Sequence, residues 1–171
     1  MNGPTSLSVC VRDTIACVRV NGRANFTSSV DFKRLIQQLQ EDGCTEIVLD
    51  LTECTLMDST FLGVLAGAAM KCDAPRQNGP MCVIKLFHPG ERIVESLENL
   101  DVLKLFTVLT DAPQLGAFQR VNKGETTRVE LNRTCFEAHQ TLMNTSPDNE
   151  RRFKDATDFF EKNLGKEEGK E

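Results

Sequence analysis

Short unbroken apolar runs open the chain, and apolar residues at helical spacing follow. Leu7 to Val11 and Ile15 to Val20 are strand-like runs split by Arg12-Asp13-Thr14, which predicts a hairpin or an antiparallel entry into a sheet. Asn21-Gly22 breaks the second run, and Arg23 to Thr27 reads as a loop. Phe32, Leu35, Ile36 and Leu39 share one helical face, with Ser28 or Ser29 as the cap and Asp42-Gly43 as the stop. Ile47 to Leu51 reads as a strand buried on both faces, Thr52 to Met57 as a loop, and about Thr60 to Lys71 as a helix. A polar loop, Asp73 to Pro80, precedes a strand at Cys82 to Phe87. Ile93, Leu97 and Leu100 predict a third helix, and Leu105 to Leu109 a short last strand. Asp111-Ala112-Pro113 predicts the start of a fourth helix, with Leu115 and Phe118 facing inward.

This order, β-β-α-β-α-β-α-β-α, predicts an α/β fold with a mixed, mostly parallel sheet, about four helices and right-handed crossovers. It spans residues 5–121. Residues 122–127 read as a polar linker. Residues 128–165 carry two further helical patterns, one on Leu131, Cys135, Ala138 and Leu142, the other on Phe153, Ala156, Phe160 and Leu164. Ser146-Pro147 is a good start for the second, so the pair reads as a helical hairpin, with residues 166–171 as a disordered tail. Phe136, Met143, Phe153, Phe159 and Phe160 are too much apolar surface to leave in water. They must pack on the chain's own body, on a second copy or on a partner; docking on the own body is the first expectation and exchange between two copies the second, so a monomer or a homodimer is expected.

Charge narrows the function. The chain has 171 residues, 40% of them hydrophobic, and a formal net charge of -5. That is enough apolar material for a core, and the wrong sign for a dedicated nucleic-acid binder. No run is long enough to span a membrane, and the first residues lack a signal-peptide pattern, so a cytoplasmic place is expected. The seven cysteines form no C-x-x-C and mostly lie in apolar runs, which reads as buried reduced thiols.

The candidate chemistry lies in Asp58-Ser59-Thr60, where a buried strand hands over to a helix rich in small residues. One reading makes Asp58 a helix cap and Ser59 and Thr60 ordinary first-turn residues. The other makes the place a site, because sites in open α/β sheets gather beyond the carboxyl ends of strands and a helix N-terminus favours an anion. A phosphate on Ser59 would suit the helix dipole but lie beside the negative Asp58.

The stretch "VLDLTECTLMDSTFLGVLAGAAMKC" resembles the signature region of STAS domains, the family of bacterial anti-sigma factor antagonists. Asp58-Ser59-Thr60 and Leu62-Gly63-Val64 match the family's Asp-Ser-(Ser/Thr)-Gly-Leu-Gly-Val position by position. "VNGRANFTSS" resembles its Gly-Arg-x-Asp segment, and "GERIVESLENLDVLKLFTVLTDAPQLGAF" its last helices and strand. Two positions depart: Phe61 stands for the usual glycine, tucked inward or offered to a partner, and Asn25 for the usual acid. The resemblance implies a non-enzymatic switch with no cofactor and no metal. Ser59 would accept phosphate from a serine kinase that also acts as an anti-sigma factor. Unphosphorylated protein would bind that kinase, phosphorylated protein would release it, and a phosphatase would reset the cycle. Asp58, Thr60, Phe61, Leu62, Gly63, Arg23 and Asn25 would form the partner-binding surface. The alternative within the resemblance is an interaction subunit or small-ligand module of a transport or stress-sensing assembly, with no phosphate on Ser59.

Rival chemistries have thinner support. A Ser59 nucleophile needs a base, and His88, after the neighbouring strand, is the one sequence order offers. His88-Pro89-Gly90 is equally a turn, and no Gly-x-Ser-x-Gly elbow occurs. His139 is expected to be exposed or a helix-packing contact. Asp50, Glu53 and Asp58 have no metal-ligand spacing, and Asp50 can serve backbone groups at its strand end.

Overall fold

The structure, a computed structural model, describes residues 4–73 and 81–169. The element order is β1 (Ser6–Arg12), β2 (Ile15–Ala24), α1 (Phe26–Glu41), β3 (Glu46–Asp50), β4 (Cys54–Met57), α2 (Ser59–Asp73), β5 (Val83–Phe87), α3 (Glu91–Asn99), β6 (Thr107–Leu109), β7 (Gln119–Arg120), α4 (Arg128–Met143) and α5 (Pro147–Glu168), with a 3-10 turn at Leu103–Leu105. The strands form one sheet in the order β6-β5-β3-β2-β1-β7, with β4 beside the end of β2. β2, β3, β5 and β6 run parallel; β1 pairs antiparallel with β2 and with β7. A mixed, mostly parallel sheet with helical crossovers is thus the observed architecture, and the C-terminal helices extend it.

The β1–β2 hairpin turns on Asp13-Thr14, and Asp13 takes a positive φ of 55° that an aspartate tolerates better than most residues. One face of the central strands is apolar throughout; the other sets the buried Cys17 and Val48 beside the Arg19–Asp50 and Lys85–Glu46 ion pairs. Val18, Val20, Ile47, Leu49 and Leu86 join the main core, into which α1 sends Phe32 and Ile36 and α2 sends Phe61 and Leu65. On the sheet's other face the extended chain after β6 passes over Cys10 and Arg19: Phe118 lies under the Arg19 guanidinium, 3.9 Å from its ring centroid.

Five local expectations give way. No helix follows Pro113; Gly116 adopts a φ of 121°, Phe118 is held by Arg19, and the segment leads into β7 against Ser8 and Val9. The loop before Asp58 contains β4, hidden from a period-2 reading because Cys54 and Met57 are buried with two exposed residues between them. Asn21-Gly22 does not end β2: Gly22 takes a φ of 84° and a register shift carries the strand on to Ala24. Asn25, not Ser28 or Ser29, caps α1. Its side chain accepts from the Thr27 N–H, and Ser28 returns a bond to the Asn25 N–H. The expected tail is helical to Glu168, where Asn132 and Arg128 on α4 meet Glu167. The polar loop expected after Asp73 lies outside the described residues.

Phe61 is wholly buried, with its ring stacked on Phe32 at 4.5 Å between centroids. It is therefore a packing residue joining α1 to α2 and is withdrawn from the expected partner-binding set. Phe61→Ala should cost about 3–5 kcal/mol by urea denaturation, and Phe61→Gly at least as much. A loss under about 1 kcal/mol would mean that the ring is not seated as described.

Candidate functional site

Asp58 closes β4 and opens α2, and both its oxygens are spent on backbone. Oδ1 accepts from the Phe61 N–H at 2.8 Å, the side-chain cap of α2. Oδ2 accepts from the Phe26 N–H at 2.7 Å, the first amide of α1. One carboxylate therefore ties two helix N-termini together, and each dipole favours its negative charge. The backbone adds a third tie, from the Asp58 N–H to the Ala24 carbonyl at 2.9 Å. Asn25 and Arg23 lie on the same rim, Asn25 in its capping role and Arg23 exposed at the end of β2.

Ser59 is the first residue of α2 and is half-buried. Its Oγ lies 2.9 Å from Nε2 of His139 on α4. Thr60 is buried, with its hydroxyl 3.8 Å from the Cys135 sulfur. Sequence order points to His88 as the base for Ser59, and the structure gives that contact to His139 instead. His88 is exposed at the end of β5. A residue on a helix beyond the linker cannot be placed against Ser59 by spacing, but the pattern Cys135-Ala138-Leu142 shows which face of that helix turns inward, and His139 borders it.

His139 is only 5% exposed, between the rings of Phe153 and Phe160 on α5. Burial pushes its pKa down, against a smaller upward pull from Asp58 and from the Cys135 carbonyl one turn back. The neutral ring can accept the Ser59 hydroxyl proton at Nε2. No full hydrogen bond forms at Nδ1 among the described residues. Among the described residues no carboxylate orients Nδ1, and the nearby Asp58 is committed to two amides.

Beyond Ser59 the α2 surface is made of small residues, and α4 lies directly on it. A Cβ added to Gly63 would come within 2.4 Å of the Ala138 carbonyl oxygen, and one on Gly67 would meet Thr141 at 3.6 Å. Leu62 and Gly63, expected at a partner surface, are buried in this arrangement. Lys33–Glu137 at 2.7 Å and Arg34–Glu130 at 2.6 Å fasten α4 to α1. Asn149 on α5 donates from Nδ2 to the Leu100 carbonyl at 2.8 Å, fastening the hairpin tip to the end of α3. A cleft of about 300 Å³ remains between α1, α2 and α4.

Asp50 has the structural role open to it at its strand end. Burial works to raise its pKa, but two bonds from Thr52 and one from Arg19 outweigh that and hold it below the usual carboxylate range. Among the described residues, no group of three or more His, Cys, Asp or Glu is arranged to hold a metal, and no helix is long and apolar enough to cross a membrane.

His139 makes stability pH-dependent with a definite sign. Its folded-state pKa is depressed, so its contribution is intact above about pH 6.5, the unfolded value, and is lost as the pH falls from there through the lower folded value. The charged group acting on it is Asp58. Wild type should lose melting temperature more steeply than His139→Gln between pH 7 and pH 5. Parallel curves would remove His139 from the account.

The fold is that of a known family. The STAS domain family matches residues 6–112, more than half of the chain. Among solved structures, an anti-sigma factor antagonist from Mycobacterium paratuberculosis aligns with a TM-score of 0.53 at 17% identity, over 63% of this chain and 89% of that one. The anti-sigma factor antagonist SpoIIAA in its unphosphorylated form aligns with a TM-score of 0.51 at 15% identity, over 61% and 89%. Identities this low carry the fold alone, but the family match, the strand order and the Asp58-Ser59 junction agree: the chain belongs to the STAS domain family.

Proposed function

We propose that this chain is a partner-switching module of the anti-sigma factor antagonist kind, and that its switch is phosphorylation of Ser59. The observation that carries the reading is the junction at Asp58. A carboxylate fixed by two helix N-termini leaves the next residue, a serine, as the first-turn hydroxyl of α2 at the sheet's rim. Thr60, the neighbouring hydroxyl, is the poorer acceptor because it is buried against Cys135.

The partner is a serine kinase that serves as an anti-sigma factor. In the phosphoryl step the Ser59 Oγ bonds to the γ-phosphorus of ATP, the bond from that phosphorus to the β,γ-bridging oxygen breaks, ADP leaves, and the hydroxyl proton passes to a base on the kinase. This chain supplies the hydroxyl and the surface; nucleotide and metal belong to the kinase. A phosphatase returns the serine by hydrolysis. The added charge of about -1.5 to -2 beside Asp58 repels the partner and blocks the small-residue surface.

A second reading, a STAS interaction subunit without phosphate control, is favoured by one feature: the Ser59 hydroxyl is half-buried and engaged by His139. The two separate experimentally. With kinase and ATP, mass spectrometry should place one phosphate on Ser59 and none on Ser59→Ala. Ser59→Asp should bind the kinase about 5- to 150-fold more weakly than Ser59→Ala, equivalent to about 1–3 kcal/mol. Equal affinities for the two variants, or no phosphate on the chain, would leave the interaction-subunit reading standing instead, and phosphate only on Thr60 would reject Ser59 as the switch.

A further inference from the structure

We propose that α4 is a built-in competitor for the face of the STAS body that carries Ser59, and that the external partner of that face replaces α4 with a helix of its own. This rests on the reading above for what the face does, but not for its being a helix-binding face. The occupant is visible. α4 lies along α2 with Ala138 against Gly63 and Thr141 against Gly67, so near that a single methyl group at position 63 would collide with α4 backbone. Only a helix with small side chains at those positions can lie so close.

Three features set this contact apart from ordinary core packing. First, its edge is fastened by charges: Lys33–Glu137 and Arg34–Glu130 join α1 to α4 and are partly open to solvent, where salt screens them. Secondly, docking leaves a polar atom of the hairpin itself, Oδ1 of Asn149, unpaired in a buried setting, and leaves a cleft between α1, α2 and α4. A helix without that group has a better fit available. Thirdly, the docked hairpin blocks the chemistry proposed for the site. The Ser59 Oγ is in hydrogen-bond contact with His139, and a phosphoryl group cannot occupy the same space. Phe159, 60% exposed, packs edge-on against Phe160, which stacks on His139. A partner that engages Phe159 while the hairpin is docked thus touches the stack that covers Ser59.

The test uses the full chain and a labelled synthetic peptide spanning Thr127 to Asn144 as the helix probe. Ala138→Glu places a charged side chain against Gly63 and should release the chain's own α4. The peptide should then bind Ala138→Glu at least tenfold more tightly than wild type, whose face is occupied. Equal binding to both, or none to a folded Ala138→Glu, would overturn the proposal. Hydrogen exchange on the unmodified chain guards against misfolding of that variant. Amides of α4 and α5 should exchange as one unit, at least 100-fold faster than those of β2 and β3. Arg34→Glu should speed that exchange, and Arg34→Glu with Glu130→Arg should restore it. Hairpin amides that exchange only together with the central strands would sink the idea. Neither measurement needs a kinase, so failure of Ser59 phosphorylation leaves them intact. Conversely, equal phosphorylation rates in wild type and Ala138→Glu would reject the hairpin as competitor while keeping the switch.

Discussion

The contact on which the arrangement turns is backbone against small side chain, Gly63 on α2 beneath Ala138 on α4. α2 is apolar nearly all round, as a helix must be when it is covered on both sides. Phe61 and Leu65 serve the side toward the sheet and α1. The other side offers Gly63 and Gly67, which give a covering helix little area but let it come very close. Once α4 is that close, its next inward residue, His139, reaches the first turn of α2 and meets the Ser59 hydroxyl. Packing and site chemistry therefore share one cause: any side chain at position 63 would separate the helices and with them the Ser59–His139 pair.

Asp58 reconciles the two readings of the loop. As a cap it is unexceptional, accepting from the third helical amide of α2. Its second oxygen, on the Phe26 amide, ties α2 to α1, so the cap also fixes the angle at which the two helices present their common face. The plain reading accounts for Asp58 and leaves Ser59 unexplained, because a first-turn serine needs no partner on a distant helix. That distant helix, and not the loop, makes Ser59 unusual.

What the sequence made legible follows from what each signal depends on. The strands β1, β2, β3 and β5 and the helices α1 to α5 have local causes: period, capping residues and breaks. Ser146-Pro147 marked the start of α5 because a cap and a first-turn proline act within one turn. β4 and the path from Pro113 to β7 were not legible, since both depend on distant pairing, β4 with β2 and Phe118 with Arg19. An aspartate two residues before a proline looks like a helix start until a cation across the chain takes the aromatic ring. At the site, Asp58 and Ser59 were visible as a motif. His139 was not, because its meeting with Ser59 spans 80 positions and depends on a close helix approach that no spacing rule encodes. Phe61 shows the reverse case: its departure from the family's glycine is resolved by Phe32, a neighbour the helical pattern of α1 already placed in the core.

If α4 competes for the partner face as proposed, stability and binding are coupled. Where only the undocked form can bind, the apparent affinity is the intrinsic affinity reduced by the fraction of molecules with the hairpin released. On that proposal each bond that holds α4 would stabilise the protein and weaken its binding. In an ordinary core, a destabilising change leaves binding unchanged or harms it. Here the ion pairs of Lys33 and Arg34 with Glu137 and Glu130 would behave in the opposite sense: weakening them lowers stability and raises affinity together. Gly63 cannot show this, because a side chain there obstructs own helix and partner alike. The freedom to tune the competition would thus lie in the α4 residues and the ion pairs at its edge, not at Gly63.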